Sequence, residues 1–242
     1  MTATLLIARR ELAAYLRTWS GYAIIAAALF IEGLVFNVWA LGGDQGRLSG
    51  EVLAKFFYLT SGFVMTASVF LSMRLLAEER QTGTVALLYS SPIRDRDIVL
   101  GKFISALIFL AVMLVLTMFM PALIMVNGKI SMGQVAAGYL GVFLLGSASL
   151  AIGIVGSALT RSQVVAAIIS GGILVAFIFF SNLARVTDRP IADVFSALGI
   201  WDQHFPPFQQ GLIHLRDVIY YLVVTYVALF AATRVLEARR WR

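Results

Sequence analysis

Long uncharged runs alternate with short charged segments along the 242 residues of this chain, and the length of those runs predicts its elements. A hydrocarbon core of about 30 Å takes about 20 apolar helical residues to cross. Six runs qualify, with spans expected at 20–41, 56–74, 103–126, 135–159, 164–183 and 217–234. The last is the shortest, so Asp217 and Arg234 are expected near the interfaces, the arginine snorkelling to water. Before the first span, Leu5, Ala8, Leu12, Leu16 and Trp19 recur at steps of three or four, while Arg9, Arg10 and Arg17 lie off that stripe. Over residues 1–19 this pattern predicts an amphipathic interfacial helix; the alternative is a plain extension of the first span. Within the segment 184–216, Val194, Leu198, Trp201 and Phe205 follow helical spacing until Pro206 and Pro207 stop it. That segment is read as a short helix on the outer membrane surface or as a loop packed on neighbouring spans.

Composition agrees with the pattern. With 60% hydrophobic and 13% charged residues and a mean hydropathy of +0.88, the chain is far more apolar than a soluble domain. The expected fold is an all-α polytopic membrane protein, a single transmembrane domain over 1–242. Cysteine is absent, which excludes a disulfide framework, a thiolate metal site and a cysteine nucleophile. The first apolar run is too long for a signal-peptide core, so the first span is expected to remain in the mature protein.

Charge sets the orientation. Six spans put both termini on one side, and thirteen of the nineteen Lys and Arg residues fall on that side. The positive-inside rule therefore places both termini in the cytoplasm. The net charge of +6 is then a cytoplasmic excess, suited to anionic membrane lipids. The cations are dispersed between spans and form no continuous groove, which argues against a nucleic-acid partner.

The stretch from Arg74 to Lys102 gathers nine charges: Arg74, Glu78, Glu79, Arg80, Arg94, Asp95, Arg96, Asp97 and Lys102. Its apolar residues, Val85, Leu87, Leu88 and Tyr89, are too few to span a bilayer. Gly83 can break the helix extending from the second span, Thr84 can cap a new one, and Pro92 ends it. Asp95 or Asp97 then places negative charge at the start of the third span helix. The segment 75–102 is thus expected to lay a short helix across the cytoplasmic mouth.

Three features lie outside it. Ser149, Gly153 and Ser157 repeat at steps of four beside Gly146 and Gly156, a face that lets another helix backbone approach closely, within one subunit or between two. Glu32 falls near the middle of the first span, where a carboxylate is costly and is expected to face the protein interior or water. It is read either as a polar element of a transport path or proton site, or as a carboxyl hydrogen-bonded to a hydroxyl such as Thr66 or Ser147. His204 and His214 match no zinc motif and are expected to be structural.

Read in order, Glu78-Glu79-Arg80, Gly83-Thr84, Leu87-Leu88 and Ser91-Pro92, followed by Leu100-Gly101-Lys102-Phe103 opening the next span, resemble the permease subunits of type 2 ATP-binding-cassette (ABC) exporters. The likeness covers almost the whole chain. Arg9-Arg10-Glu11-Leu12, the six-span layout and the stretch from His204-Phe205 to Tyr220-Tyr221 look most like the branch of gliding-motility and nitrous-oxide-reductase-maturation permeases. The resemblance implies that the short helix is a cytoplasmic coupling helix docking into a groove of an ABC-type ATPase subunit, with Glu78, Glu79, Arg80, Gly83, Thr84, Leu87 and Leu88 at the matching positions. Ala86 stands where many relatives carry a glutamate. Arg9, Arg10 and Glu11 match the connecting helix beside the same groove. The chain has no Gly-rich loop ending in Gly-Lys-Ser or Gly-Lys-Thr, since Gly101-Lys102 is followed by Phe103. ATP and magnesium are therefore expected in the partner ATPase, with no catalytic, cofactor or metal residue in this chain. Six spans form half of such an exporter, which implies pairing with a second copy or a related permease in a bacterial inner membrane.

Three other functions remain in view. A membrane anchor or mechanotransmitter of the same architecture would work on an envelope complex without moving a substrate. An ion-coupled secondary transporter draws on Glu32 but lacks visible inverted repeats. An intramembrane hydrolase is weakest, because neither histidine lies inside a span.

Overall fold

A computed structural model describes residues 3–17, 19–41, 49–83 and 93–240. Every regular element among them is helical: α1 Ala3–Arg17, α2 Trp19–Val35 continuing into a π-helical turn at Phe36–Leu41, α3 Ser49–Gln81, α4 Asp95–Leu116, α5 Phe119–Asn127, α6 Met132–Leu159, α7 Gln163–Val186, α8 Ile191–Leu198, α9 Pro206–Gln209 and α10 Leu215–Arg240. Six helical stretches are long and apolar enough to cross a membrane, α4 and α5 together making the third. The chain is an all-α polytopic membrane protein.

Helix α6 is the centre. Of its most apolar stretch 83% is buried, against 17% for that of α10 on the outside. Glycine and serine make this possible, because neighbours press directly onto its backbone. Phe57 covers Gly138, Phe208 covers Gly141, Val64 and Leu110 cover Gly146, and a Cβ on Gly153 would run into Ser72. The expected small-residue face is a seam within the chain, turned to α3. The Ser157 hydroxyl enters that helix's ladder, donating to Met73 O at 2.9 Å and accepting from the amides of Leu76 and Ala77 at 3.0 Å each. Ser149 is fully buried and bonds back to Leu145 O at 2.8 Å.

Several boundaries differ from the sequence expectation. Helix α3 runs seven residues beyond each end of the expected 56–74 span. Its 33 residues measure about 50 Å, well over the hydrocarbon thickness, so its charged end stands clear of the spanning part. The expected single span at 103–126 is broken at Thr117 and Met118. Pro121 explains the break: it has no amide to donate, and its ring crowds the carbonyl four residues back, that of Thr117. The expected helix through Val194 to Phe205 stops at Leu198, where Gly199 caps it and Ile200 turns back to bond Phe177 O. Pro206 and Pro207 do not end that helix; they open α9, where a missing amide costs nothing.

Polar ties identify the two ends of the bundle. At one end Arg239 donates to Leu159 O, Arg80 donates to Ala158 O, and Arg10 reaches Glu79. This terminal end therefore gathers α1 and the last turns of α3, α6 and α10. At the far end the Gln134 amide donates to Gly50 O at 3.1 Å and Gln209 O at 2.9 Å. There Asp217, expected near an interface, is completely buried in the first turn of α10 beside His204, Nδ1 to Oδ1 2.7 Å. Arg234, the expected snorkelling residue, reaches Glu237 at 3.0 Å and packs over the Phe230 ring.

Enlarging Gly153 tests the α3–α6 seam. Gly153→Leu is expected to cost about 1–3 kcal/mol by overpacking, read as a lowered thermal midpoint in detergent, whereas Gly172→Leu in open space leaves the midpoint unchanged.

Candidate functional site

Helix α1 lies along the start of α4 because Gly101 leaves room for it: a Cβ there would meet Ile7 Cβ at 2.8 Å and Thr4 O at 2.9 Å. Thr4 Oγ1 also donates to Asp97 Oδ1 at 3.0 Å, and the Tyr15 ring packs on Phe109 at 5.0 Å. The face of α1 turned inward is Thr4, Ile7, Ala8, Glu11 and Tyr15, with Ile7, Ala8 and Tyr15 buried. This departs in part from the expected stripe: Ala8 is buried and Leu12 packs against the core, while Leu5 and Leu16 of α1 and Trp19 at the start of α2 remain exposed. At 100° per residue the two stripes lie side by side, so the helix has one face for the bundle and an adjoining apolar face left free.

On that inward face the chain buries a lysine. Lys102 of α4 retains 2% side-chain exposure, with its Nζ 2.8 Å from Glu79 Oε1 and 3.4 Å from Glu11 Oε1. Arg10 closes the ring, 2.8 Å from Glu11 and 3.4 Å from Glu79. Four charges from three helices are thus shared at one point. Burial, the strongest influence on Glu11, would raise its carboxyl, but Lys102 and Arg10 together outweigh it and hold the group below the usual carboxylate range. The hydrogen bond to Glu11 is the chief reason the Arg10 guanidinium binds its proton more tightly than usual, and burial pushes the Tyr15 phenol up.

Three of the four, Glu11, Glu79 and Lys102, line a cleft of about 240 Å³ together with Tyr15, Arg74 and Glu78. Glu78 faces outward and takes the Arg74 Nε at 2.9 Å. The cleft runs out to Thr82, one residue before Gly83, whose φ of +75° ends the helix in the left-handed region. Of the expected docking residues, Glu78, Glu79, Arg80 and Gly83 are therefore brought together at the end of α3, with Arg10 and Glu11 beside them and Arg9 exposed on α1. Thr84, Leu87 and Leu88 lie outside the described residues. Lys102, counted from the sequence with the surface charges, is instead the buried hub, and Arg80 is turned onto the end of α6.

A second polar position lies deep in the bundle. Glu32 is 5% exposed and accepts from Thr60 Oγ1 at 2.7 Å. The expected partners Thr66 and Ser147 bond elsewhere, Thr66 to Gly62 O and Ser147 to Leu144 O. Thr66 lies six residues, about 9 Å, further along α3, which puts it at another depth. Glu32 lines a groove of about 550 Å³ between α2, α3 and α7, together with Tyr58, Phe63, Asn182, Arg185 and Trp201. Of the two histidines, His204 stacks on Tyr220 at 3.8 Å and pairs with Asp217, joining the far-end loop to α10.

These features define a multi-pass membrane protein with a charged, multi-helix junction at its terminal end and a polar-floored groove in its spanning part. Residues 24–194 match the family model described as ABC-2 family transporter protein, and the chain belongs to that family. It is a membrane permease component of an ABC transporter. No curated protein matches it.

Two measurements test the charged junction. Lys102→Met should cost about 3–5 kcal/mol in the detergent-solubilised chain by removing the buried cation between two carboxylates that the exposed Arg10 only partly offsets, and adding Glu11→Gln and Glu79→Gln should restore part of the loss. Because the folded value for Glu11 lies below its unfolded 4.5, its contribution is full above pH 4.5 and disappears as pH falls through the folded value. The stability gap between the wild-type chain and Glu11→Gln should accordingly stay constant above pH 4.5 and close below it.

Proposed function

We propose that the chain is the membrane half of an ATP-driven exporter, moved by a separate ATPase that docks on the segment following Gly83. One observation carries this reading: the Lys102 junction joins α1, α3 and α4 at the root of that segment. A push on residues 84–92 thereby reaches three helices at once. Glu78, Glu79, Arg80, Gly83, Thr84, Leu87 and Leu88 form the coupling element, and Arg9, Arg10 and Glu11 flank the ATPase groove. ATP binding draws two ATPase subunits together, and the spans shift between two packings in response.

The charge count supports a cytoplasmic terminal end, and the setting is a bacterial inner membrane. Nucleotide and magnesium belong to the ATPase. A second permease copy, or a related chain, completes the transporter; the apolar outer faces of α2, α7 and α10, with Phe30, Phe179 and Tyr226 exposed, support such a contact alongside lipid. The Arg9 to Glu11 stretch and the Leu215 to Tyr221 stretch support a place in the gliding-motility and nitrous-oxide-reductase-maturation branch.

Docking is tested by copurification from membranes. Gly83→Asp combined with Leu87→Asp should lower the ATPase recovered with the permease at least tenfold, while the exposed far-end change Arg189→Glu should have no effect. Undiminished recovery and stimulation of the ATPase by the double variant would remove the docking proposal.

A further inference from the structure

The groove between α2, α3 and α7 has walls of one kind and charges of another. Its apolar sides are Ile31, Val35, Leu59, Phe63, Met65 and Ile178. At its floor the Glu32 carboxyl receives a single hydrogen bond, from Thr60, and no cation among the described residues acts on it. Toward the far end Asp202 adds a second carboxylate, and Arg185, exposed, is the one cationic side chain among the described residues of the lining. Among these described residues two acids face one solvent-screened base, and at the depth of Glu32 a bound cation would favour an ionised carboxyl that is otherwise expensive.

Aromatic rings complete the set. Tyr58 and Trp201 meet edge to face at 5.1 Å, and the indole is held by its Nε1 bond to Ser61 Oγ at 2.8 Å. A fixed pair of electron-rich faces beside a buried carboxylate is the combination that attracts an organic cation. A volume of about 550 Å³ suits a molecule of several rings or a short chain. An anionic amphiphile would meet Asp202 and further disfavour ionisation of Glu32, whereas a bound cation favours the ionised form of both carboxyls.

We propose that this groove is a binding site for a lipophilic organic cation, held by Glu32 and Asp202 and by the faces of Tyr58 and Trp201. The site has one end on Glu32 in the spanning region and the other at the far-end loop, so a cation bound there lies between lipid and water. The inference rests on the permease reading and names the ligand class of that permease. Binding to the chain alone needs no ATPase, so its failure and the failure of docking are separate results.

The test is equilibrium binding to the full chain in zwitterionic nanodiscs, with empty nanodiscs subtracted. The probes are tetraphenylphosphonium and tetraphenylborate, nearly the same size and opposite in charge. Saturable binding of the phosphonium is expected, weakened at least tenfold by Glu32→Gln and several-fold by Tyr58→Ala, with no saturable binding of the borate. Should Glu32→Gln fail to fold, Asp202→Asn and the half-exposed Tyr58→Ala carry the same comparison. No saturable phosphonium binding, equal binding of the borate, or variants within twofold of wild type would overturn the proposal.

Discussion

A lysine ammonium taken almost wholly out of water has to be met by negative charge, and in this chain that need organises an entire end of the molecule. Lys102 draws Glu79 from the last turns of α3 and Glu11 from α1, and the excess negative charge is met by Arg10. Amphipathicity alone does not fix where α1 lies. Its docking on α4 follows from the lysine, the gap at Gly101 and the packing of Tyr15 on Phe109. The arrangement also sets the register of α3 against α4, since a one-residue shift in an α-helix turns a side chain by about 100°.

Below that junction the bundle depends on small residues instead of charge. Helix α6 can be nearly surrounded because Gly138, Gly141, Gly146 and Gly153 let side chains and backbones come close, and dispersion grows as the gap narrows. Each buried serine on this helix satisfies its hydroxyl against a carbonyl, so close packing carries no unpaired donor there. The two devices are complementary: the charged junction is directional and specific, and the glycine-rich seam supplies contact over a long length.

Much of the fold was legible in the sequence, because bilayer thickness imposes a length on every span and the runs meet it. The break of α3 at Gly83 was legible too, as was the close-packing face at Ser149, Gly153 and Ser157. What stayed hidden was partnership across long separations. Lys102 sits among eight other charges, and no local pattern separates a buried lysine from its exposed neighbours. Glu32 was visible as an oddity, but its hydroxyl partner depends on how α2 is offset along α3. The pairing of His204 with Asp217 is hidden for the same reason. Pro121, by contrast, did announce the break at Thr117, four residues earlier, to a reader who applies the steric rule.

The Ser157 hydroxyl constrains any displacement of α3 against α6. It supplies a rung to a ladder that is not its own, touching Met73, Leu76 and Ala77 at once. A rigid glide of α3 along α6 would therefore have to break these bonds. A slide of less than a turn loses all three contacts together and finds no replacement, while bending about that rung keeps them. The pair is geared, and a tilt about that fixed tooth is the displacement of the Glu79 end that the three bonds would survive.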